Sequence, residues 1–177
     1  MKTVAIIQAR MGSTRLPGKI MRLIGDLPLY KIVYNRVSSS KFVDQVVFAT
    51  TTSSEDDSFC HELEKSSIDF LRGSEADVLS RFQASAKYFD ADIIVRVTCD
   101  DPFKDPQIID QCLEPQLMRK YDFSTNIIEP SYAEGMDVEC FSRDLLEEMN
   151  VSASKVYQRE HVTPYFYENI SRFSYFS

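Results

Sequence analysis

Short runs of β-branched and apolar residues alternate along this chain with segments of helical periodicity, and this alternation constrains the fold more than any other feature. Parallel strands need helical crossovers between them, so the pattern predicts a three-layer α/β fold with a mostly parallel, Rossmann-like sheet. The runs that predict strands are residues 3–7, 45–49, 68–71, 93–97, 137–141 and 172–177. The segments that predict helices are 28–38, one that begins near Thr52, 75–89, 106–118, 142–149 and 155–169.

The length of the chain and its charge limit the kind of partner it can have. A chain of 177 residues predicts a single domain over 1–177, because domains hold roughly 150 residues. With 20 basic and 27 acidic residues the net charge is −7, which argues against a nucleic-acid partner. Residues 1–25 nevertheless hold five basic side chains and no acidic one, so the remainder carries −12. This distribution favours a local anion site.

The apolar runs and the cysteines indicate a cytoplasmic protein that does not contact a membrane. The longest apolar run near the start, Val4 to Ile7, is too short for a signal sequence or a membrane span. The four cysteines have neither CxxC nor zinc-ligand spacing, which predicts four reduced thiols. Two histidines exclude a histidine-rich metal centre.

The loop after the first predicted strand, residues 8–19, combines three cations with two glycines. Gly12 and Gly18 allow close approach of the backbone to a phosphate, and Arg10, Arg15 and Lys19 supply charge and hydrogen bonds. The loop is not a P-loop: five residues separate its glycines, and Ile20 stands where the magnesium-binding hydroxyl belongs. The sequence therefore predicts an anion-binding loop of another kind, with a solvated basic loop as the alternative.

Loops that follow parallel strands meet at the same edge of the sheet, where ligands bind. The loops 8–19, 50–55, 72–77 and 98–105 are therefore expected to share one site. The last of them carries Asp100 and Asp101, and carboxylates of this kind bind magnesium. A turn that caps the helix at 106 is the alternative explanation of this acidic pair.

Several motifs resemble those of the cytidylyltransferases that activate acidic sugars, the acylneuraminate and 3-deoxy-manno-octulosonate (KDO) cytidylyltransferases. The branch named for spore coat polysaccharide biosynthesis is the most similar. The resemblance rests on IIQARMGSTRLPGK at 6–19, FLRGSEADVL at 70–79, RVTCDDP at 96–102, EGMDVE at 134–139 and REHVTP at 159–164.

The resemblance implies a nucleotide-diphospho-sugar transferase fold and the transfer of CMP from CTP to an acidic or related sugar, with release of pyrophosphate, for surface polysaccharide or glycan biosynthesis. It implies Arg10, Lys19 and Asp100 as catalytic residues and Mg²⁺ held by Asp100, alone or with Asp137. The implied nucleotide-binding residues are Ala9, Arg10, Gly12, Ser13, Arg15, Lys19, Arg72, Ser74 and Asp77. The implied sugar-side residues, mostly within 120–177, are Asp101, Asp137, Glu139, Glu160 and His161. A homodimer is also implied.

Other interpretations of these residues remain open. Arg72, Ser74 and Asp77 also fit a capped helix start with Ser74 as the N-cap, and His161 fits an ordinary half-buried helix residue. Nothing after residue 141 matches the family's later Val-Asp-x-x-Glu-Asp-Leu-like motif, so the usual C-terminal segment is expected to be missing.

Three alternative functions follow from these observations. One is a catalytically impaired nucleotide- or sugar-binding homologue, and another is a nucleotidyltransferase that uses another nucleotide or a sugar phosphate. A glycosyltransferase that uses Asp100 and Asp101 is the third, and the basic loop argues against it because a sugar diphosphate needs fewer cations than a triphosphate.

Overall fold

A computed structural model of the chain describes residues 1–118 and 120–177. Its centre is a seven-stranded sheet with strand order β5-β4-β1-β6-β8-β7-β9, and β2 and β3 form a separate two-stranded hairpin. The strands are β1 (Thr3–Gln8), β2 (Leu23–Ile24), β3 (Leu27–Pro28), β4 (Gln45–Thr51), β5 (Phe70–Gly73), β6 (Ile93–Thr98), β7 (Phe123–Thr125), β8 (Glu139–Ser142) and β9 (Tyr175–Phe176). The helices are α1 (Leu29–Val37), α2 (Asp57–Lys65), α3 (Val78–Tyr88), α4 (Pro106–Leu117), α5 (Arg143–Ser152), α6 (Val156–His161) and α7 (Pro164–Glu168).

The sheet is mostly parallel, as the alternation of runs and helices predicts. Strand β1 pairs in parallel with β4 on one side and with β6 on the other, so that Ala5 faces Val46 and Val95. Strand β8 is antiparallel to both of its neighbours, β6 and β7. The carboxyl ends of β1, β4, β5 and β6 therefore lie along one edge.

Helices cover both faces of the sheet because the central strands are apolar on both faces. In β1, Ala5 and Ile7 belong to a core cluster with α1, α2 and α4. Val4 and Ile6 point the other way and pack with α3, α5 and α7. A strand buried on both faces reads as a continuous apolar run, which is why β1 is visible in the sequence.

The predicted elements agree with the structure except at several boundaries. The helix predicted at 75–89 begins at Val78, because the Asp77 carboxylate accepts a hydrogen bond from the Ser80 N–H at 2.9 Å and so caps the helix. Ser74 is therefore not the N-cap. The helix predicted at 155–169 is two helices, since Val162 has φ = 72° and Pro164 starts the second.

Two further differences concern strands. The strand predicted at 137–141 lies at Glu139–Ser142, and the one predicted at 172–177 shortens to Tyr175–Phe176 after a 3₁₀ turn at Ile170–Arg172. Strand β7 and the β2–β3 hairpin were not predicted. None of the described helices has the length and apolar character to span a membrane.

Candidate functional site

A cavity of about 490 Å³ lies at the carboxyl ends of β1 and β6 and is walled by α3 and α6. It brings together eight of the predicted site residues: Ala9, Arg10, Ser13, Arg15, Lys19, Asp100, Glu160 and His161. The rest of its lining is Gln8, Thr14, Ile20, Glu75, Ala76, Val78, Arg81, Thr98, Cys99 and Val156.

The basic loop is shaped by its own backbone. The Met11 carbonyl accepts hydrogen bonds from the N–H groups of Ser13 at 2.8 Å and of Gly18 at 2.9 Å, which folds the loop back on itself. Gly18 has φ = 67°, a left-handed conformation that side chains disfavour, and a 3₁₀ turn begins directly after it at Lys19. The turn places Lys19 in the lining of the cavity, to which Arg10 also belongs.

A buried carboxylate fastens this loop to the sheet. Asp56 Oδ1 accepts a hydrogen bond from the Met11 N–H at 2.7 Å, and Oδ2 accepts from the Thr50 hydroxyl at 2.9 Å and the Thr51 N–H at 3.0 Å. Burial opposes ionisation of Asp56, but these hydrogen bonds outweigh it and hold its pKa below the ordinary value. Asp56 is therefore a charged anchor for the loop.

Lys19 and Asp100 form an ion pair across the cavity, with 2.5 Å between Nζ and Oδ2. Partial burial raises the pKa of Asp100, but the hydrogen bond and positive charge of Lys19, together with hydrogen bonds from the backbone and Thr98, bring it below the ordinary value. The carboxylate is therefore ionised at neutral pH. Its side chain is 44% exposed and open to the cavity.

Arg10 is paired in the same way with an acidic residue on the opposite wall. Its Nη1 lies 3.1 Å from Glu75 Oε1, and both side chains are about half exposed. Two of the three cations of the loop are thus held by carboxylates that face the cavity.

The wall that carries Glu160 and His161 is attached to α3 by an ion pair. Arg159 Nε donates to Asp77 Oδ2 at 2.7 Å, and the rest of its guanidinium donates to Asn150 and to the Ala153 carbonyl. Both Glu160 and His161 are exposed and line the cavity, so the alternative of a half-buried His161 is wrong.

The remaining predicted nucleotide-binding residues, Gly12, Arg72, Ser74 and Asp77, do not line the cavity. Arg72 donates to the carbonyls of Thr51 and Ser53 and pairs with Asp57 at 2.7 Å. Gly12 lies next to the Glu55 side chain, whose Oε2 would be 3.0 Å from a Cβ added at this position. Residues 50–55, which the sequence predicts to share the site, do not line the cavity. Thr50 and Thr51 instead donate to Asp56, the residue that binds the basic loop.

A second cavity, of about 150 Å³, adjoins the first through Thr98, which lines both. It holds the three other predicted sugar-side residues, Asp101, Asp137 and Glu139. Lys104 pairs with Asp101 at 3.0 Å and donates to the Asp137 carbonyl. Glu139 pairs with Arg96 at 2.5 Å and accepts from the Tyr167 hydroxyl at 2.8 Å.

The predicted metal ligands lie in different cavities, Asp100 in the larger and Asp137 in the smaller. Over residues 1–118 and 120–177, no three His, Cys, Asp or Glu side chains are grouped as a metal site. Magnesium usually takes one or two carboxylates and completes its shell with water and substrate phosphates. The ionised Asp100, open to the larger cavity, fits that requirement.

Sequence reasoning missed two charged residues of the larger cavity, Glu75 and Arg81. Glu75 is the first residue of the helix predicted at 75–89, where acidic residues are common. Arg81 carries a weak signal, because it follows buried Val78 by three residues and so lies on the buried side of α3. Tyr167, in the smaller cavity, carries no such signal.

The chain is similar to known proteins over nearly its whole length. The sequence pattern of the family described as "Cytidylyltransferase" matches residues 4–177. The spore coat polysaccharide biosynthesis protein SpsF of Bacillus subtilis is 35% identical over 90% of this chain and 68% of its own length. The structure of a cytidylyltransferase from Leptospira borgpetersenii has a TM-score of 0.93 at 39% identity and covers 99% of this chain and 75% of that one.

A more distant structure, CMP:2-keto-3-deoxy-manno-octonic acid synthetase complexed with CTP, shares the fold with a TM-score of 0.76 at 19% identity, covering 99% of this chain and 89% of that one. The resemblance seen in the motifs thus extends over nearly the whole chain and its three-layer fold. On the match to residues 4–177 and the likeness to these relatives, this chain belongs to the cytidylyltransferase family.

Proposed function

We propose that this chain transfers CMP from CTP to an acidic or related sugar, releases pyrophosphate, and acts in the biosynthesis of a surface polysaccharide or glycan. The observation that carries the proposal is the larger cavity, which unites Arg10, Arg15 and Lys19 with the ionised Asp100. The family of the chain and the names of its relatives, SpsF and the synthetase complexed with CTP, support the choice of CTP and of a sugar.

The basic loop would bind the triphosphate. Attack at the α-phosphate places negative charge on the phosphate oxygens and on the departing pyrophosphate, so catalysis consists mainly of positioning and charge stabilisation. Arg10, Arg15 and Lys19 would neutralise the pyrophosphate, while Ser13 and the loop N–H groups would donate further hydrogen bonds. Arg10 and Lys19 would exchange Glu75 and Asp100 for phosphate oxygens.

Mg²⁺ is the cofactor that this proposal includes. Asp100 would hold it together with phosphate oxygens and water, and Asp137 of the adjoining cavity is the second ligand implied by the family. When bound, Mg²⁺ supplies neutralisation of phosphate charge. Release of Lys19 to the triphosphate would free the Asp100 carboxylate for this role.

The smaller cavity would receive part of the sugar. Its polar groups, Asp101, Glu139, Lys104 and Tyr167, supply acceptors and donors of the kind that hydroxyl groups need. Its position beside Thr98 would bring the acceptor next to the nucleotide. Glu160 and His161 would contact the sugar from the α6 side of the larger cavity.

Pyrophosphate release tests the proposal. The protein is incubated with Mg²⁺, each of the four ribonucleoside triphosphates in turn, and a panel of acidic sugars and their neutral counterparts. CTP together with an acidic sugar is expected to give the fastest release. Faster release with another triphosphate would favour the alternative nucleotidyltransferase, and CTP binding without release for any sugar would favour the impaired homologue.

The role of Asp100 is tested by Asp100→Asn. The matched control is Asp69→Asn, because Asp69 is exposed and directly precedes β5, at the sheet edge away from the cavity. Asp100→Asn should lose the stimulation of turnover by Mg²⁺, and Asp69→Asn should keep it. Normal stimulation in Asp100→Asn would show that Asp100 is not the metal ligand.

A further inference from the structure

Arg81 is a charged residue buried in the wall of the larger cavity. It lies on α3, it is 4% exposed, and it belongs to the lining of that cavity together with Arg10 and Glu75. The chain makes room for it at Gly73, where an added Cβ would stand 2.7 Å from Arg81 Cγ. The position thus holds a large cation close to the basic loop.

The guanidinium of Arg81 is poorly compensated within the described residues. Its one hydrogen bond given by the structure runs from Nη1 to the Ser74 carbonyl at 3.2 Å, and its buried Nε has no hydrogen-bond partner. No described carboxylate comes within ion-pair distance, so the charges of Asp56, Glu75 and Asp77 act on it only from farther away. Burial, and after it the positive charge of Arg10, lowers the pKa of Arg81 to about 10.

A buried charge without a partner is costly, and proteins generally pair such a group or give it a ligand. Arg159 illustrates the contrast, because this arginine is satisfied by Asp77, Asn150 and Ala153. Arg81 instead keeps unused donors next to a cavity whose other cations face an anion site. An anion in this cavity would compensate Arg10 and Arg81 together.

We propose that Arg81 is a further phosphate-binding residue of this cavity and donates to the phosphate chain of the incoming nucleotide beside Arg10. This inference rests on the proposed function for the identity of the nucleotide. It extends the phosphate site beyond the basic loop to a residue of α3, and it assigns Gly73 the role of leaving space for that side chain. Bound phosphate oxygens would then compensate the unpaired charge of the Arg81 guanidinium.

The test uses Arg81→Met, which keeps the volume of the side chain and removes its charge. Binding of CTP and, separately, of inorganic pyrophosphate is measured by calorimetry, and the melting temperature is measured without ligand. Affinity for both ligands should fall roughly 10- to 100-fold, the loss expected for charge-assisted hydrogen bonds. The melting temperature should stay equal or rise, because a buried charge held for a ligand does not stabilise the free protein.

Arg143→Met is the matched control, since Arg143 is a paired arginine that bonds to Asp90 and lines a different cavity. It should lower the melting temperature and leave both affinities unchanged. Arg81→Lys keeps the charge without the planar fork and should bind both ligands more weakly than the wild type. It also serves if Arg81→Met does not fold.

The outcomes separate this inference from the proposed function. Wild-type affinity for CTP and pyrophosphate in Arg81→Met and Arg81→Lys, or a lowered melting temperature as their only change, overturns the role of Arg81 and leaves the proposed function standing. If the wild type binds pyrophosphate in an Arg81-dependent way but not CTP, the proposed function fails and the phosphate site stands. A wild type that binds neither ligand overturns both.

Discussion

Asp56 is the residue on which the position of the basic loop depends most directly. It is 1% exposed, and its carboxylate binds the Met11 N–H of the loop and the two threonines that end β4. Asp56→Asn replaces one acceptor by a donor that faces other donors. The free energy of unfolding should fall by about 2 kcal/mol, and urea unfolding measures it.

The pH dependence of this loss has a definite sign. The pKa of Asp56 in the folded protein lies below its ordinary value of 3.8, so the ionised carboxylate stabilises the protein fully above that pH. The contribution is lost as the pH falls through the folded pKa. The difference in unfolding free energy between wild type and Asp56→Asn should therefore shrink below pH 3.8. The control is the exposed Asp26→Asn, whose unfolding free energy should not differ from that of the wild type in this way. A difference between wild type and Asp56→Asn that grows in acid would contradict the anchor role.

Arg10 and Lys19 are the two loop cations whose carboxylate partners face the cavity. Arg10→Ala and Lys19→Ala should each weaken CTP binding by about 1.5–3 kcal/mol, because each removes a charge-assisted contact to the triphosphate. Arg22→Ala is the control, since this exposed residue of the same basic segment lies outside the cavity. Calorimetric affinities near the wild-type value in both variants would refute the assignment of the loop.

Asp77 joins two elements, because it caps α3 and pairs with Arg159 of α6. Asp77→Asn should keep the cap and lose the ion pair, whereas Asp77→Ala loses both. The alanine variant should therefore be less stable than the asparagine variant by about 1 kcal/mol, the usual contribution of an N-cap. Thermal unfolding measures the difference.

Both Asp77 variants should also weaken sugar-dependent turnover, because α6 carries Glu160 and His161 at the wall of the cavity. Ser142→Ala removes the cap of α5, whose residues do not line the cavity, and serves as the control. Equal stability of the two Asp77 variants would contradict the capping role.

Elements with a continuous sequence pattern were predictable, whereas strand β7 and the β2–β3 hairpin were not. β1, β4 and β6 are long apolar runs because both of their faces are buried, and the α3 residues Val78 and Phe82 follow helical spacing. Strand β7 has only three residues and is stabilised by pairing with β8 on one side and β9 on the other. The β2–β3 hairpin is exposed and turns at Gly25, so no buried face marks it in the sequence.

At the scale of the whole molecule, the fold explains why the distant segments of the site meet. Parallel strands place the loops after β1 and β6 at one edge, and this much follows from the sequence. The pairing of Arg10 with Glu75 and the burial of Arg81 depend on how α3 packs, which periodicity alone does not specify. The separation of Asp100 and Asp137 into two cavities likewise depends on the antiparallel β8 and the segment before it.

Several predictions for the whole chain stay predictions, among them the homodimer, the cytoplasmic location, and the single domain with its sugar side in 120–177. Sedimentation equilibrium tests the first of these. A dimer is expected, and a monomer at every concentration would contradict it.

The most direct test of the central claim is a crystal structure of the protein with CTP and Mg²⁺. The triphosphate should lie against Arg10, Arg15 and Lys19, and the metal ion against Asp100, with the Lys19–Asp100 pair opened. Density for CTP at another place, with Lys19 still bound to Asp100, would contradict the account.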